Sequence, residues 1–285
     1  MNAFRLYFFV FSILFFMPED FDAQPLRVMT FNIRYDTPKD SMNSWEHRKD
    51  FAASYLPFYD LDICGMQEAL VNQCNYLDSV LQDYSYIGVG RDDGKEKGEF
   101  SPIFYNHTRL KPLESGTFWL SETPNTPGKA WDANLPRIVT WAKFKYKGKT
   151  RSFYIFNTHF DHQGVMARRE SAKLLLIKVK EIAGNKNAII TGDFNATPAD
   201  EPIQILTDVK NPIHFFDTEH SSSSGHFGAY SSFNGFQAIE QEGRHIDYIF
   251  LNNPSIQVFR HGTLSHSIAG KYASDHHPVF AILKF

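Results

Sequence analysis

Glu68 directly follows the apolar run DICGMQ. A carboxylate at a strand end is a hard oxygen ligand suited to Mg2+, which binds through one or two carboxylates and keeps several waters. The same acid also suits the start of a helix over Leu70–Leu81, where the helix dipole favours negative charge. Asp193 and Asn195 bracket Phe194 after NAIITG. There an acid can take a proton or orient a nucleophile while the amide donates to a phosphate oxygen. An Asx turn capping the strand is the plainer reading. Asp247 lies inside the apolar run IDYIF, and a buried acid needs a hydrogen-bond partner. Contact with His276 would supply one, fix the imidazole tautomer and make the ring a better base. A bond to backbone or to Arg244 would also satisfy the acid. Asp275 and His276 are adjacent, so they point different ways and need separate partners.

His159 ends FNTH, with His162 three residues on. It can face a phosphate, or join Asp161 and His162 as a zinc pair. The fuller binuclear zinc signature wants a histidine two residues before His159, where Asn157 stands. No other Cys/His set completes a closed tetrahedral site. His107, His214, His220 and His226 read as surface or loop residues. There is no Walker-type loop, no Gly-x-Ser-x-Gly elbow and no Gly-x-Gly-x-x-Gly followed by an acid. Nucleotide cofactors and serine-hydrolase chemistry are therefore not indicated.

These residues need rigid elements that end in one place. Alternation predicts strands at Leu26–Arg34, Asp62–Met66, Tyr86–Val89, Ser101–Asn106 and Gly116–Leu120. Further strands are predicted at Ile138–Tyr146, Arg151–Thr158, Asn187–Asp193, His245–Leu251, Ile256–His261 and Pro278–Lys284. Helices are predicted at Trp45–Tyr59, Leu70–Leu81 and Met166–Ala183. In the last of these, Ala172, Leu175, Val179 and Ile182 recur at helical spacing. Ser121–Pro136 reads as a surface insertion and Glu219–Gly228 as a mobile loop. The chemistry-bearing residues fall at or just after strand ends, where side chains can be held firmly. Strands outnumber helices and apolar strands recur in both halves. One domain of two packed sheets with helices outside is the expected class.

The ordered set TFNIR, MQE, NTHFDH, GDFN, IDYIF and SDHHPV resembles the endonuclease/exonuclease/phosphatase superfamily, with its deoxyribonuclease I-like fold. Each motif is weak alone; six in order from Thr30 to Val279 are specific. NSWEHR, SGTFWLSETP and LPRIVTWA further resemble a secreted bacterial subgroup. The resemblance implies an α/β four-layer α-β-β-α sandwich of two mostly antiparallel sheets. It implies Glu68, with Asn32 and Asp275 beside it, as the metal site, and Mg2+ (or Mn2+) as the ion. It implies that Asp193 and Asn195 orient the attacking water and hold the phosphate. His276 becomes the catalytic histidine oriented by Asp247, and His159 a phosphate contact, with Asn157 also on the non-bridging oxygens. Arg34 stands where some nuclease members carry a second acid. The implied reaction is hydrolysis of a phosphoester by in-line attack of water.

The chain has 285 residues, 29 Lys+Arg and 32 Asp+Glu. Leu6–Met17 is an apolar run of signal-peptide length, too short to span a membrane. Residues 1–24 are expected to be a signal peptide, and 25–285 the catalytic domain of a secreted or periplasmic, monomeric protein. Losing Arg5, Glu19, Asp20 and Asp22 would leave 28 basic against 29 acidic residues. That balance does not suit a protein that coats nucleic acid. A small phosphoester, preferably a diester, is therefore the favoured substrate, with a nuclease as the second reading. Arg137, after a loop that is not basic, is a candidate phosphate contact or a strand-edge surface residue. A zinc hydrolase is a third reading. A non-catalytic module with Trp45, Trp119, Trp131 and Trp141 as a sugar- or lipid-binding surface is a fourth. Two cysteines, Cys64 and Cys74, do not make a disulfide framework.

Overall fold

A computed structural model describes residues 25–285; the signal-peptide expectation lies outside the described residues. In chain order the first elements are β1 (Leu26–Asn32), α1 (Trp45–Phe58), β2 (Ile63–Gln67), α2 (Val71–Val80), β3 (Tyr84–Ile87), β4 (Ile103–Asn106) and β5 (Leu110–Trp119). Next come β6 (Ile138–Tyr146), β7 (Ser152–His159), α3 (Val165–Ala183), β8 (Ala188–Asp193), α4 (Glu201–Thr207), β9 (Phe216–Asp217) and α5 (Thr218–Ser221). The chain finishes with β10 (His226–Gly228), β11 (Asp247–Leu251), β12 (Gln257–Thr263) and β13 (Val279–Lys284).

Two sheets form, ordered β10-β12-β13-β1-β2-β4-β3 and β5-β6-β7-β8-β11-β9. The pairs β1–β2, β7–β8 and β10–β12 are parallel and the rest antiparallel. Apolar side chains from the facing strands, including Val28, Ile63, Ile155, Ile189 and Ala281, fill the space between the sheets. α1 and α2 cover one outer face and α3 and α4 the other. The result is the expected α/β sandwich. α3 buries Ala172, Leu175, Val179 and Ala183. Asp132 closes its first turn by accepting from Met166 N and Ala167 N at 3.1 and 2.6 Å, which satisfies N–H groups that a helix start leaves unpaired.

A polar layer interrupts the apolar one where the sheets approach the site. Gln67 Nε2 donates to Thr30 Oγ1 (3.0 Å) and across to Asn157 Oδ1 (2.7 Å). Thr191 Oγ1 donates to the same oxygen at 2.9 Å. Asn157 Nδ2 donates to Met66 O and Pro102 O at 2.6 and 2.9 Å. Gly65 makes this approach feasible: a Cβ there would lie 2.1 Å from Thr191 Oγ1.

Several boundaries differ from the sequence reading. β5 starts six residues earlier than Gly116, because its first half is exposed and polar and carries Pro112 at a bulge. α4 and β9 were not anticipated, being short. Glu219–Gly228 is not a featureless mobile loop. Asp217 Oδ1 caps α5 by accepting from Glu219 N at 2.9 Å, and β10 pairs with β12. Cys64 and Cys74 are both free and buried.

Candidate active site

Strand direction brings the polar residues to one rim. β1 and β2 run parallel, with Asn32 opposite Gln67, so Asn32 and Glu68 leave the first sheet together. β7 and β8 run parallel, with His159 opposite Asp193. β11 is antiparallel to β8, so its first residue, Asp247, also pairs with Asp193. β13 is antiparallel to β1, with Thr30 opposite Val279. Asp275 and His276 therefore enter the same rim just before β13 begins.

Asn32 is fully buried and bridges the two sheets. Its Nδ2 donates to Glu68 Oε1 at 3.1 Å and to Asp193 Oδ2 at 2.9 Å. Tyr35 N donates to Glu68 Oε2 at 3.2 Å. Asn195 N donates to Asp193 Oδ1 at 2.9 Å. Ser274 Oγ donates to Asn32 O at 2.7 Å and so ties the Asp275–His276 segment to β1. Arg34, Glu68 and Asn195 all have left-handed backbone, with φ of 56°, 61° and 45°. Such conformations cost free energy in residues other than glycine, and they collect where surrounding structure holds them.

His276 Nδ1 lies 2.8 Å from Asp247 Oδ2, and its Nε2 lies 3.8 Å from Asp193 Oδ2. Burial works against charge on this ring, but Asp247, with help from Asp193 and Asp275, pushes it up to about 10. Burial, and then the charge of Asp247, pushes Asp193 up to about 7, with His276 opposing. Burial raises Asp275 also. His159 behaves oppositely: burial, Arg137 and Arg91 hold it well below its usual value. Asn195 Nδ2 donates to Phe160 O (3.1 Å) and lies 3.0 Å from His159 Nε2, which must therefore accept. The ring hydrogen is then on Nδ1, which is buried without a hydrogen-bond partner. That N–H points toward Glu99, whose Oε2 lies 3.8 Å away.

The cavity measures about 530 Å3, and its walls include Arg34, Glu68, Glu99, Asn134, Arg137, His159, His162, Asp193, Asn195, Arg244, Asp275 and His276. Asp247 stands behind His276. One expectation fails: Asn157 is not a phosphate contact. Its side chain is buried in the polar layer with both polar atoms committed to protein. Arg137 is not a surface residue either, being 5% exposed. Its Nε lies 3.4 Å from Asp161, its Nη2 lies 3.0 Å from His162 Nδ1, and its Nη1 makes no hydrogen bond among the described residues but stands 4.0 Å from Glu99 Oε2. The zinc pair does not form, because Asp161 accepts from Leu135, Gln163 and Gly164 backbone N–H groups as well as facing Arg137. Nor do the four tryptophans make one surface, since Trp45 and Trp119 are buried.

Arg34 holds Asp40 through two bonds of 3.0 Å and reaches 3.9 Å from both Glu68 and Asp275. A fixed cation thus borders the carboxylates where a second acid is absent. Glu99 was missed in the sequence, and His162 and Arg244, read there as a zinc candidate and a possible partner of Asp247, line the cavity instead. Glu99 sits in a charged loop that reads as surface, yet it pairs with Arg91 through bonds of 2.6 and 2.8 Å. No motif or spacing distinguishes it from its exposed neighbours.

Together these groups can orient a water, donate to phosphate oxygens and hold a hard cation beside Glu68. Comparison with known proteins agrees with that chemistry. The model of the Endonuclease/Exonuclease/phosphatase family matches residues 29–276. The chain is similar to the crystal structure of an endonuclease/exonuclease/phosphatase from Bacteroides vulgatus, at 41% identity and a TM-score of 0.87. That similarity covers 92% of this chain and 99% of the other. It is also similar to a mannosyl-6-phosphatase from Bacteroides thetaiotaomicron VPI-5482, at 39% identity and a TM-score of 0.85. There the coverage is 91% and 100%. An uncharacterized protein, L388, of Acanthamoeba polyphaga mimivirus is 27% identical over 60% of this chain and 67% of its own length.

Proposed function

The chain belongs to the endonuclease/exonuclease/phosphatase family, and on that premise we propose that it is a divalent-metal-dependent hydrolase of a small phosphoester, with a phosphorylated sugar as the substrate class. Members of the family hydrolyse phosphate esters. The observation that carries the reading is the convergence of Glu68, His159, Asp193, Asn195, Asp275 and His276 on one cavity, with buried Asn32 joining Glu68 to Asp193. Polar walls at Glu99, Asn134 and His162 suit a hydroxylated substrate. The likeness to a mannosyl-6-phosphatase supports a monoester over the diester that the sequence favoured. The near-neutral charge argues against a nucleic-acid polyanion.

Mg2+, with Mn2+ as its substitute, fits Glu68 and the nearby Asp275. Both offer hard oxygens, and Glu68 accepts only from neutral N–H donors, so lone pairs remain for an ion. When bound, the ion would polarise a phosphate oxygen and offset charge on the leaving oxygen. The remaining work falls to the chain itself. Asp193, fixed through both oxygens, orients the attacking water and receives its proton. Asn195 and His159, joined to each other at 3.0 Å in the cavity wall beside Asp193, would exchange that bond for phosphate oxygens when substrate binds. His276, held by Asp247, presents Nε2 to the reacting centre. The buried guanidinium of Arg137 and the fixed cation of Arg34 complement the phosphate charge.

Steady-state kinetics on hexose 6-phosphates, bis(p-nitrophenyl) phosphate and single-stranded DNA tests this reading. Sugar phosphates should be preferred by at least about tenfold in kcat/KM, a discrimination of ~1.4 kcal/mol. Turnover should require Mg2+ or Mn2+ and stop with EDTA. Activity that survives chelation refutes the metal role, and a preference for DNA refutes the substrate class. The apolar run Leu6–Met17 supports export of this activity. Mass spectrometry of exported protein should find a chain starting near residue 25; an intact Met1 refutes cleavage.

A further inference from the structure

A second cluster of ionisable groups lies apart from the active site, where α5, β10 and β12 meet. His226 and His261 are register partners in the parallel β10–β12 pair, with ring centroids 5.3 Å apart. Their hydrogens can be assigned from their neighbours. Thr218 Oγ1 gives its hydrogen to Ile249 O at 2.9 Å, so it accepts from His261 Nδ1, also at 2.9 Å. A carbonyl only accepts, so His226 Nε2 donates to Ala229 O at 2.9 Å. The lone pairs of the neutral rings are therefore on His261 Nε2 and His226 Nδ1. Both atoms are buried without a hydrogen-bond partner.

Glu219 faces them. Its Oε1 lies 4.0 Å from His226 Nδ1, and one ligand atom from each of Glu219, His226 and His261 lies within 4.8 Å of the others. Three acceptors turned toward one another, two of them buried, are costly unless something positive sits between them. Protonating His226 would pair Glu219 but leave His261 Nε2 without a donor. His261 is 3% exposed. Burial, then His226, His245 and His220, pushes it down to about 3, so the ring is neutral at pH 7 and able to ligate.

We propose that Glu219, His226 and His261 bind a Zn2+ ion that ties the edges of the two sheets together. β10 and β12 belong to the first sheet, while α5 follows directly from β9 of the second. Two imidazoles and a carboxylate match the ligand preferences of zinc rather than magnesium. Zinc–ligand bonds of about 2.0–2.1 Å place tetrahedral ligand atoms about 3.3 Å apart, so the separations, all within 4.8 Å, close by at most about 1.5 Å. Each histidine donates its other N–H to an oxygen, as metal-bound histidines do. His245 Nδ1, which donates to Tyr230 O at 3.2 Å, also stands 3.5 Å from the second oxygen of Glu219. Three protein ligands leave one position for water.

The test uses the full chain, stripped with chelator and dialysed against Zn2+ with excess Mg2+. Bound zinc per chain is measured for the wild type, His226→Gln, Glu219→Gln and His261→Gln. Zinc held elsewhere is common to all four and cancels in the differences. Each variant should hold one equivalent less than the wild type. Zn2+ should also raise the wild-type Tm by about 5 °C, and the variants should lose that rise. Equal zinc content in the wild type and the variants overturns the proposal, as does a wild type that gains neither zinc nor Tm. His226 and Glu219 lie only partly buried, so those two variants decide the matter should His261→Gln fail to fold.

Discussion

Asp193→Asn should lower kcat by about 10^3–10^4-fold with KM changed far less, the loss expected when a positioned proton acceptor is removed. The substitution is nearly isosteric, so the cavity keeps its shape. Both oxygens of Asp193 accept hydrogen bonds, one from Asn32 and one from Asn195. Whichever way the new amide turns, its NH2 meets a donor. That mismatch costs about 1–3 kcal/mol of stability, which thermal unfolding will register apart from turnover. Asp193→Ala removes the mismatch while still removing the acid. Agreement between the two variants in kcat locates the effect in chemistry. Either variant retaining more than a tenth of wild-type turnover would remove Asp193 from the reaction.

His276→Ala should cost about 10^3-fold in kcat, and Asp247→Asn should cost less because the ring remains. The informative measurement is the double variant. Among the described residues, the only side-chain hydrogen bond joining Asp247 to the reacting groups runs through the imidazole, at 2.8 Å from Nδ1, and its charge is otherwise felt at Asp193. Once the ring is gone, the acid has nothing left to orient, and only its charge on Asp193 remains. Asp247→Asn added to His276→Ala should therefore lower kcat by less than about threefold further, as expected for residues that act as a unit. A multiplicative loss would show that Asp247 has a role of its own.

The rim was legible in the sequence for a physical reason. Its residues sit at the ends of apolar strands that are hydrophobic enough to be recognised without partners, as in DICGMQ and NAIITG. Strand ends fix where a side chain begins, and chain order then matches a known family. What the sequence could not show was depth. Asn157 and His159 are two residues apart on β7, so they share a face of that strand. Only the other sheet, pressing on Asn157, decides that one amide is interior while the imidazole reaches the cavity. Glu99 was opaque for the opposite reason. A charged residue in a polar loop reads as solvated, and its pairing with Arg91 is set by folding alone. The same holds for His226 and His261, whose cross-strand meeting leaves no local pattern.

The amide and hydroxyl groups of Gln67, Asn157 and Thr191 have a further consequence for anyone who would harden this molecule. Hydrocarbon substitutes there would shed no useful volume and would spare the desolvation of several dipoles, so melting resistance could rise. Yet greasy faces slide, whereas a shared oxygen with fixed donors admits one alignment. Half of the catalytic groups ride on each sheet. A tougher variant bought this way would keep its shape while its two halves lost their common bearing, and stability and rate would part company.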